Sequence, residues 1–69
     1  GDVAILIEYF LESICKEYRI STKNIEVEAV KKLSERHWSG NIRELRNIIE
    51  RLVVLSGPTI TVDDIEQYC

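Results

Sequence analysis

Apolar residues recur every three or four positions along most of this chain, and this spacing is the strongest constraint on its fold. Such a period places apolar side chains on one face of a helix. No run of strand length alternates between apolar and polar residues. The pattern therefore predicts an all-α fold, a small bundle of about four helices joined by short connections.

Capping and helix-breaking residues divide the pattern into its predicted helices. Asn41 is a suitable N-cap for the third helix, and Thr61 with Asp64 three residues later predicts a capping box for the fourth. Gly57 suits a left-handed residue that ends the third helix, and Pro58 prevents its continuation. The predicted helices cover about residues 2–19, 26–36, 41–56 and 62–68.

Composition limits what a free-standing chain of this kind would do. Its 69 residues allow one domain at most, and its net charge of −3 argues against a free-standing nucleic-acid binder, which carries a basic excess. Cys15 and Cys69 are far apart, and His37 has no second ligand at metal spacing, so we predict reduced thiols and no metal site. No apolar run approaches the ~20 residues of a membrane span. Reduced thiols are typical of the cytosol, so we expect a cytoplasmic protein.

The stretch Trp38–Leu45 predicts a tight turn that leads into the third helix. Gly40 permits a backbone conformation closed to other residues, and Asn41 follows as the cap. Arg43 then lies in the first helical turn, where the helix dipole already places positive charge. A guanidinium beside the free N–H groups of a helix end favours a phosphate-like anion.

The pattern alone leaves a structural alternative open for each of these residues. Arg43 would then be a surface arginine paired with Glu44, Glu50 or another acid. Ile42 belongs by its spacing to the apolar face of the third helix, which favours core packing over contact with a nucleotide base. Asn41 is favoured as a cap rather than as a ligand.

Residues 38–51, WSGNIRELRNIIER, resemble the signature of the C-terminal lid of the sigma-54-dependent (NtrC-like) activator ATPases, which belong to the AAA+ class. That signature is Trp-Pro-Gly-Asn-Val/Ile-Arg-Glu-Leu, followed by Asn and then Ile-Glu-Arg. Ser39 stands where the family usually has Pro, so the turn is expected to be less rigid. The resemblance extends over nearly the whole chain, through Asp2, Val3, Leu6, Phe10, Leu11, Glu28, Ala29, Leu33, Asp63, Asp64 and Ile65.

The resemblance implies a specific role for the arginine at the start of the third helix. Arg43 matches the sensor II arginine, which reaches from the lid toward the terminal phosphate of ATP. In the family this contact couples ATP binding and hydrolysis to ring assembly and transcription activation. The resemblance also implies that Gly40, Asn41 and Ile42 lie beside the nucleotide. Asn47, one turn beyond Arg43, is expected on the same face.

The chain lacks the parts that would make it an ATPase on its own. It has no phosphate loop to cradle ATP and no acidic pair for Mg. We therefore expect residues 1–69 to be the lid of a longer ATPase, with no catalytic residue and no bound cofactor in the isolated fragment. ATP and Mg would be held mainly by the α/β subdomain of the same chain. The other implied partners are neighbouring ring subunits and, through other domains, sigma-54 RNA polymerase and enhancer DNA, with no membrane partner.

Two other classes of function remain open from the sequence. The chain would alternatively be a stand-alone helical interaction or DNA-binding module, or the lid of another AAA+ protein. The third helix carries three arginines, but it also carries Glu44 and Glu50, and its inner face is densely apolar. Such a helix is poorly suited to reading the major groove.

Overall fold

The structure, a computed structural model, describes residues 2–36 and 42–68. Within these residues four helices form the fold, which confirms the predicted all-α bundle. The helices α1 and α2 each end two residues before the predicted ends at residues 19 and 36. The elements in chain order are α1 (Asp2–Glu17), β1 (Asn24–Ile25), α2 (Val27–Ser34), α3 (Ile42–Leu55), β2 (Thr59–Ile60) and α4 (Val62–Tyr68).

The two short strands are not predictable from the sequence pattern. β1 pairs in parallel with β2, so that Asn24 lies opposite Thr59 and Ile25 opposite Ile60. The backbone N–H of Glu26 also donates to the Ile60 carbonyl at 3.0 Å. A two-residue strand is too short to show an alternating pattern, so the sequence of segment 20–24 is typical of a plain loop. The pair joins the connection before α2 to the connection before α4.

A single apolar core lies between the helices. α1 packs against α3 and α2, and α4 packs against both α2 and α3. No polar or charged residue is fully buried among the described residues, although the hydroxyl oxygen of the half-buried Ser34 is enclosed. The buried side chains are those of Ile7, Leu11, Ile14, Cys15, Ala29, Leu33, Leu45, Ile49, Leu52, Val53, Ile60 and Ile65. Their helical spacing explains the bundle, since each helix turns one apolar stripe inward.

The predicted left-handed glycine after α3 is wrong. The φ angle of Gly57 lies outside the left-handed region, and α3 ends at Leu55. The N–H of Ser56 still donates to the Leu52 carbonyl at 2.9 Å, which continues the helical bonding by one residue. The ammonium group of Lys23 donates to the Ser56 carbonyl at 2.8 Å. A lysine side chain from the loop after α1 therefore satisfies the Ser56 carbonyl, which has no partner within the helix.

The left-handed residue in the described chain lies at the end of α1 instead. Arg19 has φ 57°. Its N–H donates to the Lys16 carbonyl at 3.1 Å, and the N–H of Ile20 donates to the Cys15 carbonyl at 3.1 Å. These two bonds form a Schellman motif, which closes α1 although no glycine is present. An L-residue with a side chain in this conformation costs about 1–2 kcal/mol.

Two side chains from different parts of the chain cap the start of α4. The predicted capping box is confirmed: the N–H of Asp64 donates to Thr61 Oγ1 at 3.2 Å, and the N–H of Thr61 donates to Asp64 Oδ2 at 2.9 Å. The N–H of Val62 donates to Glu26 Oε1 at 3.2 Å. Glu26 is the N-cap residue of α2, but its side chain makes no capping bond to that helix. Its carboxylate stabilises the start of α4 instead.

Candidate functional site

The start of α3 presents the guanidinium of Arg43 to solvent. Arg43 is the second residue of α3, and its side chain is exposed. Among residues 2–36 and 42–68 it forms no hydrogen bond and no ion pair. The alternative in which Glu44 or Glu50 pairs with this arginine is therefore not seen. No residue of the ranges 2–36 and 42–68 neutralises the charge of Arg43, which favours an anion at the helix end.

Ile42 does not lie in the core, so the core position predicted for it is wrong. Its side chain is 53% exposed, whereas Leu45, one turn later, is 1% exposed. The first turn of α3 extends beyond the residues that pack on the helix, and the apolar stripe becomes buried only at Leu45. An exposed isoleucine beside Arg43 is compatible with contact to a bound base, which stays a prediction.

Asn47 lies on the same side of α3 as Arg43. The two residues are four positions apart in one helix and both are exposed, so their side chains are neighbours on its surface. Gly40 and Asn41 lie outside the described residues. The structure thus brings together the predicted nucleotide-sensing residue, Arg43, and two of the predicted nucleotide-adjacent residues, Ile42 and Asn47, at the exposed beginning of α3.

A second arginine of α3 is fully engaged, in contrast to Arg43. Arg46 Nη2 contacts Glu17 Oε2 at 2.7 Å, and Arg46 Nη1 lies 3.7 Å from Glu50 Oε1. The hydroxyl of Tyr18 donates to Glu50 Oε2 at 2.8 Å. This hydrogen bond raises the pKa of Tyr18 above its usual value, because it stabilises the protonated phenol. We call Glu17, Tyr18, Arg46 and Glu50 the Arg46 cluster.

Sequence reasoning missed this cluster. The spacing of Arg46 and Glu50 at i and i+4 is a signal for an ion pair within α3. Glu17 is 29 residues away from Arg46, and no local pattern connects them. Further along α3, Arg51 Nη1 donates to the Tyr68 carbonyl at 3.2 Å, at the end of α4. Two of the three arginines of α3 are thus held by other elements of the bundle.

The described residues hold neither a metal-binding cluster nor a membrane-spanning helix. Within the ranges 2–36 and 42–68, no group of three His, Cys, Asp or Glu side chains is arranged to hold a metal ion. No helix in the same ranges is long and apolar enough to cross a membrane.

The all-α fold agrees with the family to which the sequence is similar. Residues 1–69 match the AAA+ ATPase lid domain family, and the chain belongs to this family. The predicted resemblance to a lid of the sigma-54-dependent, NtrC-like type is confirmed.

Curated relatives of the chain are bacterial proteins much longer than it. The chain is 40% identical to the nitrogen fixation protein AnfA of Azotobacter vinelandii over 60 residues, which are 87% of this chain and 11% of that protein. It is 40% identical to the regulatory protein AtoC of Escherichia coli over 65 residues, 93% of this chain and 14% of AtoC. It is 36% identical to the DNA-binding transcriptional regulator NtrC of Proteus hauseri over 56 residues, 81% of this chain and 12% of NtrC. The chain therefore spans between 11% and 14% of the length of these three relatives.

Proposed function

We propose that this chain is the lid of a sigma-54-dependent transcriptional activator ATPase and that Arg43 is its sensor II arginine. The observation that carries the proposal is an exposed guanidinium without an acidic partner, among the described residues, in the first turn of α3. The other support is the membership of the chain in the AAA+ lid family. In this function the lid supplies one cation to a nucleotide that another subdomain binds.

The chemistry of Arg43 suits recognition of the terminal phosphate of ATP. A guanidinium presents several N–H donors in a planar fork that matches phosphate oxygens, and it stays charged at all physiological pH values. The free N–H groups at the start of α3 add partial positive charge at the same place. Since no described acid neutralises Arg43, its interaction with an incoming anion is not offset by the loss of an internal ion pair.

Such a contact links lid orientation to the state of the nucleotide. The γ-phosphate is present in ATP and is lost after hydrolysis, so Arg43 would bind the two nucleotide states with different strength. A ligand shifts a conformational equilibrium only through such a difference in affinity. α1 and α3 pack on each other across one core, so a force on Arg43 would move the helices of the lid together.

The cofactors implied by this function are ATP and Mg, held mainly by the α/β subdomain. Arg43 fits the nucleotide, because it is a cation at a helix start. The described part of the chain offers no carboxylate cluster for the metal, so we assign Mg to the other subdomain. When bound, Mg neutralises charge on the phosphates. Gly40, Asn41, Ile42 and Asn47 are the further positions that we propose beside the nucleotide.

The proposed partners follow from the same function. They are the α/β subdomain of the same chain, neighbouring ring subunits and, through other domains, sigma-54 RNA polymerase and enhancer DNA. The relative named a DNA-binding transcriptional regulator supports a role in transcription. We place the protein in the cytoplasm on this basis. A stand-alone DNA reader is disfavoured, since Arg46 and Arg51 are engaged within the bundle and Glu44 is exposed beside Arg43.

The test is the substitution Arg43→Gln in the full ATPase, with ATP and ADP affinities measured by titration of fluorescent analogues. We expect the variant to bind the ATP analogue about ten- to 150-fold more weakly, because a charge-assisted contact to phosphate contributes about 1.5–3 kcal/mol. The affinity for the ADP analogue should change much less, since ADP has no γ-phosphate.

The matched control for this test is Arg51→Gln. Arg51 is an exposed arginine of the same helix, but it bonds to the Tyr68 carbonyl. We expect this variant to keep the wild-type ratio of ATP to ADP affinity. Equal losses in the two variants, or an Arg43→Gln variant with unchanged affinities, would show that Arg43 does not sense the nucleotide.

A further inference from the structure

Two arginines in the first half of α3 differ in whether a described carboxylate pairs with them. Arg43 is exposed and has no partner among the described residues. Arg46, three positions later, is held between carboxylates of Glu17 and Glu50 at 2.7 and 3.7 Å. Both side chains therefore carry the same charge on one short stretch of helix, but only Arg46 is neutralised by its described surroundings.

Arg43 and Arg46 are close enough on α3 for the charge of one to affect the other. Side chains three positions apart on a helix are neighbours, and like charges at such spacing repel each other. Without its acidic partners, Arg46 would displace the Arg43 side chain by repulsion. Glu17 and Glu50 hold Arg46 against the bundle, which leaves Arg43 as the cation of this turn that can meet a ligand.

The same contacts fix how α3 lies on α1. Glu17 is the last residue of α1, so its ion pair with Arg46 joins the end of α1 to the first half of α3. Tyr18 follows α1 directly and donates to Glu50, one turn beyond Arg46. Two contacts spaced one turn apart along α3 resist rotation of that helix about its own axis. Since Arg43 belongs to the same helix, the direction in which its side chain leaves the helix depends on that rotation.

We propose that Arg46 is a positioning residue for Arg43, held by Glu17 and Glu50 so that Arg43 alone is presented to the phosphate. This proposal rests on the proposed function of Arg43 and adds to it. Arg46 itself contacts no nucleotide. It acts by fixing α3 on α1 and by keeping its own charge engaged.

The experiment measures the affinity of the full ATPase for a fluorescent, non-hydrolysable ATP analogue in three variants. These are Arg46→Gln, Glu17→Gln and the double variant. We expect each single variant to raise Kd about two- to fivefold, the range that corresponds to an exposed ion pair. The Kd of the double variant should be no higher than that of the single variant with the larger loss of affinity, because both substitutions remove the same contact. A fourth variant, Arg46→Lys, keeps the charge but lacks the planar fork that contacts both carboxylates, so its Kd should lie between those of the wild type and Arg46→Gln.

The matched control breaks an ion pair of the same kind elsewhere in the bundle. Lys32 Nζ lies 3.0 Å from Glu66 Oε2 and joins α2 to α4, with both side chains about as exposed as those of Arg46 and Glu17. Glu66→Gln should change thermal stability as much as Glu17→Gln does, and should leave Kd for the analogue unchanged. A general structural effect would raise Kd in both.

The outcomes separate this inference from the proposed function. If Arg43→Gln weakens binding while Arg46→Gln and Glu17→Gln leave it unchanged, the positioning role is refuted and the function of Arg43 stands. Additive losses in the double variant, or a loss in Glu66→Gln equal to that in Glu17→Gln, also overturn the positioning role. If Arg43→Gln itself has no effect, the proposed function fails and the positioning role fails with it.

Discussion

Single residues show most clearly which features a sequence can and cannot specify. Arg43 opposes the dipole of its own helix, and this local conflict, which is visible in the sequence, predicts a functional role for the side chain. The structure leaves this side chain exposed, and its functional role stays a prediction. The core position predicted for Ile42 is wrong, because periodicity indicates which face a residue occupies but not where along the helix the packing partner ends.

The left-handed conformation of Arg19 leads to a stability prediction. Arg19→Gly should raise the free energy of unfolding by about 0.5–1 kcal/mol, because glycine removes the strain of about 1–2 kcal/mol at this position while adding freedom to the unfolded chain. Urea unfolding followed by circular dichroism measures the change. As the control, Lys16→Gly places glycine within α1 and should lower stability by about 1 kcal/mol. A loss of stability in both variants would contradict the Schellman assignment.

At the scale of elements, the helices were predictable and the strands were not. Each helix has an apolar stripe of period 3.6, and the fourth also has a capping box that is visible in its sequence. β1 and β2 are two residues long and pair across a large separation in the chain, so their existence depends on the tertiary fold. The ion pair of Glu17 with Arg46 was missed for the same reason.

The short helix α4 should depend strongly on its cap. A seven-residue helix is not stable by itself, so the bonds at its start matter. Thr61→Ala removes the acceptor for the Asp64 N–H and should lower the free energy of unfolding by about 1 kcal/mol. Urea unfolding measures this loss. Thr22→Ala, at a threonine of the loop before β1, should change stability by less than about 0.5 kcal/mol. Similar effects in both variants would refute the capping role.

For the whole molecule, stability depends on one small core. A chain of this size buries only about 60% of the surface that it exposes when unfolded, so its net stability is modest. Every buried side chain among the described residues is apolar, and no disulfide joins Cys15 to another described residue. The loss of one large core side chain is therefore expected to affect all four helices together.

This dependence is tested by Ile49→Ala, at the centre of α3. Ile49 is fully buried, so the substitution should lower the free energy of unfolding by about 2–5 kcal/mol through lost burial and the remaining cavity. A thermal melt followed by circular dichroism should show a much lower midpoint. Val54→Ala, at a valine of α3 that is 55% exposed, should leave the midpoint nearly unchanged. Equal shifts would mean that the core is not where the structure places it.

The carboxylate of Glu26, which caps α4 from the start of α2, has a consequence for solvent exchange. It accepts from the Val62 amide, which is 36 residues away along the chain, and the Glu26 amide itself bonds to the Ile60 carbonyl. Both protons are shielded only when a long loop has closed and its two ends have met. Deuterium uptake at the Glu26 amide would therefore register separation of the two strand segments, whereas the Val62 amide, at the first residue of α4, also exchanges when that helix end frays.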